Sequence, residues 1–208
     1  ADAFFVAYRI PNLLRELFAE GSMSAAFIPV FTEYHTLKTK RDAWELASAT
    51  FTTLLTIVTA VTLLGILAAP GIVWLLAPGF RESPDKLALT TLLTQMMFPY
   101  LIFISLAALA MGILNSLRAF AAPAFSPVFF NIFTIACMMF LSPWLPEPII
   151  GVAIGIVVGG VAQFAMQLPG LKGRGMLFGL RFQPGHPGVK RIGWLMVPSL
   201  LGLSVTQI

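Results

Sequence analysis

The sequence predicts an all-α, polytopic transmembrane helix bundle, and three observations carry this prediction. Only 22 of the 208 residues are charged, 13 basic and 9 acidic, or 11% against about 25% in a typical soluble domain. Hydrophobic residues make up 58% and the mean hydropathy is +0.87, so a soluble fold would lack polar surface to cover itself. Several charge-free runs exceed the ~20 residues of a membrane-spanning helix. These properties exclude a soluble enzyme, a disordered tail and, with one cysteine, a disulfide scaffold.

Charge-free runs place the predicted helices in order. They cover residues 46–80, 87–117, 119–146, 148–171 and 192 to the end, and proline- and glycine-containing turns separate most of them. An earlier apolar segment, 3–34, is long enough to cross a membrane but contains charges. No alternation of period two persists, so no strand is predicted. We expect five complete membrane helices plus the start of a sixth, since the last run has 17 residues, and thus a piece of a longer protein.

The basic residues predict the orientation of these helices. Nine lie in 36–45, 113–122 and 170–191, whereas two lie in 77–86 and none in 142–148. Because cytoplasmic loops carry an excess of Lys and Arg, the first three stretches are expected to be cytoplasmic and the other two external. The basic loops predict contact with anionic lipids of the inner leaflet and not with nucleic acid.

Small and polar residues within the runs predict how the helices pack. Gly151, Gly155 and Gly159 are spaced four apart and should let another helix approach one face closely. Pro99 lies in mid-run and should kink its helix. Interhelical hydrogen bonds are expected from Asn131, Gln163 and Gln167. No nucleophile–base set, nucleotide-binding loop or metal-ligand spacing occurs, so no catalytic residue, cofactor or metal is predicted.

The first segment differs from the others because polar residues lie inside it. They are Asp2, Arg9, Asn12, Arg15, Glu16 and Glu20. On a helix with 100° per residue, Asp2, Arg9, Glu16 and Glu20 fall within a stripe of about 40°, with Asn12 and Arg15 on one flank. Each charge near the membrane centre costs about 2.5–3.5 kcal/mol. The stripe should therefore face protein or a water-filled cavity.

Two interpretations of these charges stay open at this point. Arg9 with Glu16, or Arg15 with Glu20, could neutralise one another within the bundle. Alternatively, the arginines bind an anionic ligand, since a guanidinium group binds phosphate oxygens in pairs and keeps its charge. With Asp2 near the outer surface, Arg15 lies ~20 Å deeper, near the middle of the membrane.

The same segment resembles the MurJ (MviN) family of lipid II flippases. The resemblance rests on DAFFVAYRIPNLLR over 2–15, LFAEG over 17–21 and SAAFIP over 24–29. Weaker agreements follow at APGF (77–80), FPY (98–100), GILN (112–115), PAFSP (123–127) with Asn131, and QLP (167–169), so the similarity extends over essentially the whole chain. The opening motif is specific, whereas the later motifs alone are not.

The resemblance implies a fold and a function that composition does not. The family belongs to the multidrug/oligosaccharidyl-lipid/polysaccharide exporter superfamily, with two helical lobes around a V-shaped cavity. Its members move the lipid-linked peptidoglycan precursor from the inner to the outer leaflet of the bacterial cytoplasmic membrane. Residues 1–191 would form family helices two to six of the first lobe with a cytoplasmic linker at 170–191. Residues 192–208 would begin the second lobe, and the first helix, with further arginines, would be missing.

The resemblance also implies site residues: the cavity-lining motif of the family is matched at Asp2, Asn12, Arg15 and Glu20. Arg15 stands at the position of an essential cavity arginine. Arg9 stands at a position where family members have either Lys or Arg. The implied partners are lipid II (undecaprenyl-pyrophosphate-linked muropeptide), membrane lipids and the cell-wall synthesis machinery.

Three alternative functions stay open: another exporter of the superfamily for drugs or polysaccharide lipids, a membrane-embedded glycosyltransferase or phosphatase, and a scaffold whose charges only pair internally. The external loops offer an enzyme only Glu82, Asp85 and Glu147.

Overall fold

The structure, a computed structural model, describes residues 2–16, 22–80, 82–176, 178–179 and 181–206. In this part of the chain the regular structure is helical, which confirms the all-α prediction. The α-helices are α1 (Asp2–Arg15), α2 (Ser22–Leu37), α3 (Lys40–Leu76), α4 (Pro84–Met97), α5 (Tyr100–Ser116), α6 (Ala121–Phe140), α7 (Pro148–Ala165), α8 (Leu168–Lys172) and α9 (Pro187–Thr206). Short 3-10 turns at Pro78–Phe80 and Ser142–Trp144 follow α3 and α6.

Four helical stretches are long and apolar enough to cross a membrane. They are Lys40–Leu76, Pro84–Ser116, Ala121–Trp144 and Pro148–Lys172, and they coincide with the four complete charge-free runs. The segment expected to precede them is described on either side of residues 17–21, as α1 and α2, and those five residues lie outside the described part of the chain. The count of five complete spans therefore stays a prediction.

The second of these stretches is interrupted where the sequence predicts a kink. Helix α4 ends at Met97, and α5 begins at Tyr100. Across the break, the N–H of Leu101 donates to the carbonyl of Phe98, three residues back, and that of Ile102 does the same to Pro99. Pro99 has no N–H to donate, and a proline ring clashes with the carbonyl four residues earlier in a helix, which accounts for the interruption.

Helix α5 is the centre of the bundle. The most apolar window of Pro84–Ser116 is 78% buried, against 6% for Ala121–Trp144, so the α4–α5 span is internal and α6 is peripheral. One core cluster joins α5 to α2, α3 and α9, with Phe27, Phe31 and Leu109 fully buried. A second cluster joins α5 to α1, α4 and α7 around Tyr100 and Met97. The two clusters thus hold α5 between α2, α3 and α9 on one side and α1, α4 and α7 on the other.

The predicted glycine face on α7 packs closely against α6. A Cβ atom built on Gly155 would lie 2.9 Å from the carbonyl oxygen of Thr134, and one on Gly159 would lie 2.8 Å from that of Phe130. Gly151 meets Ser142 in the same way at the end of the pair. Because only a missing side chain allows this approach, the prediction of a helix-packing role is confirmed.

Polar residues within the spans have different environments. Gln167 is 1% exposed, and its Nε2 donates to the carbonyl of Ala107 on α5 at 3.2 Å and to that of Gln163 at 3.3 Å. It forms the predicted interhelical bond. Asn131 is instead exposed on the peripheral helix α6, so the prediction that it bonds to a neighbouring helix is wrong for the described residues. The sequence pattern alone could not tell that α6 lies at the edge of the bundle.

The segment between α8 and α9 lies against α3. The N–H of Gly179 donates to Ser48 Oγ at 3.3 Å, and that of Arg181 donates to Thr52 Oγ1 at 3.0 Å. The rings of Phe51 and Phe178 stack with centroids 4.3 Å apart. Helix α9 then begins at Pro187, inside the predicted linker, and packs on α2 and α3. These contacts tie the segment after α8 to the bundle.

Candidate functional site

Helix α1 has one packed face and one open face. Ala7 is fully buried in the second core cluster, and Pro11 is also buried. Beside them the rings of Phe4 and Tyr8 stack with centroids 5.8 Å apart. On a helix of 100° per residue these four positions share one side. This side meets α4 and α5 and fixes α1 on the bundle.

The opposite face of α1 carries most of the predicted site residues. Asp2 and Arg9 are both exposed, and Asn12 and Glu16 are half-buried along the same face. Phe5, 70% exposed, lies among them. The stripe predicted from helix angles is therefore the face of α1 that the bundle leaves open.

Asn12 and Glu16 form a bonded pair one helical turn apart. Asn12 Nδ2 donates to Glu16 Oε1 at 3.1 Å. The bond holds the Glu16 carboxylate against the helix at the C-terminal end of the stripe. This contact lies within α1 and does not join Glu16 to Arg9, the pairing that the sequence left open.

By the same helix angles Arg15 falls between Phe4 and Tyr8, on the packed side of α1. It is half-buried, and its Nε atom is inaccessible to solvent. A helix rises 1.5 Å per residue, so Arg15 lies about 20 Å along α1 from Asp2. Glu20, the sixth predicted site residue, lies outside the described residues.

A second polar feature, at the other end of the bundle, was not found from the sequence. The end of α2, the start of α3, the end of α5 and the turn after α8 form an open surface cavity of about 450 Å³, lined by His35, Lys40, Trp44, Leu117 and Arg174, with the glycines beside Arg174. Apart from His35, which directly precedes the first of them, these residues come from the three stretches that the sequence places on the cytoplasmic side. The basic residues of these loops are visible in the sequence, but whether they meet at one cavity depends on how four helices pack.

Comparison with known proteins identifies the family of the chain. The family described as "Lipid II flippase MurJ" matches residues 1–208. A "Probable lipid II flippase MurJ" from Vibrio cholerae is 44% identical and a "Lipid II flippase MurJ" from Burkholderia cenocepacia is 41% identical, each over 100% of this chain and 41% of the relative. A solved structure, "Lipid II flippase MurJ, inward closed conformation", superposes with a TM-score of 0.77 at 26% identity, covering 100% of this chain and 42% of that one. The chain thus spans about two fifths of the length of these relatives. It belongs to the lipid II flippase MurJ family.

Proposed function

We propose that the full-length protein moves lipid II, the lipid-linked peptidoglycan precursor, from the inner to the outer leaflet of the bacterial cytoplasmic membrane. The chain is a multi-pass membrane protein of a family whose relatives are named for this transport. The observation that supports particular site residues is the open face of α1, where charged and amide side chains lie opposite a face packed in the core. No covalent bond is broken in such a step, so the activity is transport and not catalysis.

The open face of α1 suits an amphiphilic anion. Arg15 and Arg9 would attract the pyrophosphate, since guanidinium groups form paired hydrogen bonds with phosphate oxygens. Asn12 holds Glu16 in place, and the acids Asp2, Glu16 and Glu20 would balance the charge of the face when the substrate is absent. Exposed Phe5 and Leu13 add apolar surface on the same side.

The proposed cycle is alternating access. A carrier that binds its cargo too tightly cannot release it, so a charge-balanced face serves better than a purely cationic one. We also propose that residues 1–191, with the linker 170–191, belong to the first lobe and that 192–208 begin the second. The contacts of Gly179 and Arg181 with α3 support the assignment of the linker to the first lobe.

The test is an assay of lipid II translocation in cells depleted of the native flippase and supplied with full-length variants. Arg15→Ala should abolish translocation at normal expression, and Arg15→Lys should reduce it because the ammonium group cannot bind phosphate oxygens in pairs. The matched control is Arg41→Ala, which removes a guanidinium from an 84% exposed surface position and should leave transport unchanged. Normal translocation by Arg15→Ala would refute the assignment of the site.

The second candidate function is export of another cargo by a member of the same superfamily, a drug or a polysaccharide lipid. The same cells separate the two. If lipid II stays in the inner leaflet while another lipid-linked or amphiphilic compound is exported, the rival is correct.

A further inference from the structure

The cavity between the ends of α2, α3 and α5 has a distinct charge. Lys40 and Arg174 line it, and no acidic residue does. Three other cations on the same surface have acidic partners: Arg41 and Arg181 share the single carboxylate of Glu45, and Arg191 contacts Glu33. Within the described residues, neither Lys40 nor Arg174 forms an ion pair. The cavity therefore concentrates two uncompensated positive charges.

The two cations are held by the local fold. Arg174 Nη1 donates to the carbonyl of Gly170 at 3.0 Å, which fixes the guanidinium through one of its five N–H groups. The Lys40 ammonium lies 5.8 Å from the Trp44 ring centroid and over Gly175, where a Cβ atom would be 3.5 Å from Nζ. Gly175 has φ of +79°, a turn conformation that a residue without a side chain adopts at little cost.

The remaining walls of the cavity are apolar or aromatic. Trp44 is half-buried, and its ring lies 6.2 Å from that of His35 between centroids. Leu117 completes this wall. Tryptophan and basic residues occur together at the level of lipid headgroups, where one side of the ligand is polar and the other apolar. A cavity of about 450 Å³ is large enough for a glycerophosphate headgroup.

We propose that this cavity binds the phosphate group of an anionic phospholipid of the inner leaflet, with Lys40 and Arg174 as its ligands and Trp44 against the start of the acyl chains. The site lies on the cytoplasmic side predicted from the basic loops. It is separate from the open face of α1 and does not depend on the transported cargo. Both inorganic phosphate and a lipid headgroup offer the same phosphate oxygens, and the experiment distinguishes them.

The first measurement uses the unmodified full-length protein. An amine-reactive ester labels Lys40 in vesicles of phosphatidylcholine, with and without phosphatidylglycerol, and mass spectrometry follows the rate at each lysine. We expect phosphatidylglycerol to slow labelling of Lys40 several-fold and to leave Lys190, an exposed lysine at the same end of the bundle that does not line the cavity, much less affected. Equal effects at both lysines would overturn the proposal. Equal protection of Lys40 by inorganic phosphate in phosphatidylcholine vesicles would overturn the lipid assignment.

The second measurement counts phosphatidylglycerol molecules retained by purified variants in native mass spectrometry. Lys40→Gln with Arg174→Gln should weaken binding of the retained lipid by about 100-fold, since each side chain loses a charge-assisted hydrogen bond to the phosphate worth about tenfold. Lys190→Gln is the matched control and should retain the lipid. Lys40→Arg with Arg174→Lys keeps the charge and should retain it too. Retention by the Gln pair at the level of Lys190→Gln would refute the site.

Discussion

Thr134 Oγ1 on α6 shares its one hydroxyl proton between two carbonyl oxygens, that of Gly155 on α7 at 3.1 Å and that of Phe130 in its own helix at 2.8 Å. The hydroxyl thus bridges two helices, and it can do so because Gly155 brings its backbone against α6. The contact joins the peripheral helix to the bundle by backbone proximity and not by large side chains. Lipid tails are as apolar as leucine, so such close packing is a main source of attraction between membrane helices.

Filling the space at Gly155 should separate these helices. In Gly155→Ala the new Cβ would meet the Thr134 carbonyl oxygen at 2.9 Å and Cys137 Cβ at 3.1 Å, and we expect a loss of about 1–3 kcal/mol of stability. The thermal midpoint of the detergent-solubilised protein measures this loss. Gly71→Ala on α3, where nothing lies within 4 Å of the new methyl group, is the control and should leave the midpoint unchanged or raised.

Gln167 should contribute measurable stability through its buried amide. Gln167→Leu removes the bonds to Ala107 and Gln163, and the expected cost is about 1 kcal/mol. The same midpoint assay reports it, with the exposed Gln183→Ala as the control. A midpoint for Gln167→Leu equal to that of the control would mean that the two carbonyls find other partners and that the bonds carry no net stability.

Replacement by lysine should affect translocation differently at Arg9 and at Arg15. Arg9 is exposed on α1, so Arg9→Lys keeps the charge and should keep lipid II translocation, whereas Arg15→Lys in a half-buried site should impair it. Arg9→Glu should abolish translocation by repelling the pyrophosphate. Complementation of a flippase-depleted strain measures all three. Equal impairment by Arg9→Lys and Arg15→Lys would contradict the different roles that their exposure implies.

The ion pair between Glu33 and Arg191 links α2 to α9 at 2.7 Å. Both side chains are about half exposed, so a double-mutant cycle with Glu33→Gln and Arg191→Gln should give a coupling of about 0.2–1 kcal/mol, falling at high salt. The fraction unfolded in increasing denaturing detergent provides the free energies. A coupling that salt does not change would show that the contact is not electrostatic.

The sequence could predict the elements that depend on local composition. Charge-free runs gave the four long spans, Pro99 gave the break between α4 and α5, and the glycine spacing on α7 gave a packing face, because each depends on one segment alone. The alignment of polar residues along α1 followed from helix angles for the same reason. These predictions needed only the period of a helix and the avoidance of charge by lipid.

Other features depend on which segments contact one another in the folded chain, and the residue pattern of one segment does not predict those contacts. Asn131 looked like an interhelical donor, yet α6 lies at the edge of the bundle. The cavity of Lys40 and Arg174 joins residues more than 130 positions apart.

The two-faced character of α1 has a consequence for how the protein enters the membrane. Its charged face makes α1 a poor candidate for partition into lipid as a lone segment during synthesis. Its packed face meets Leu93, Met97 and Tyr100, which are synthesised some 80 residues later. Helix α1 therefore depends on helices that leave the ribosome after it, and its final placement should follow their insertion.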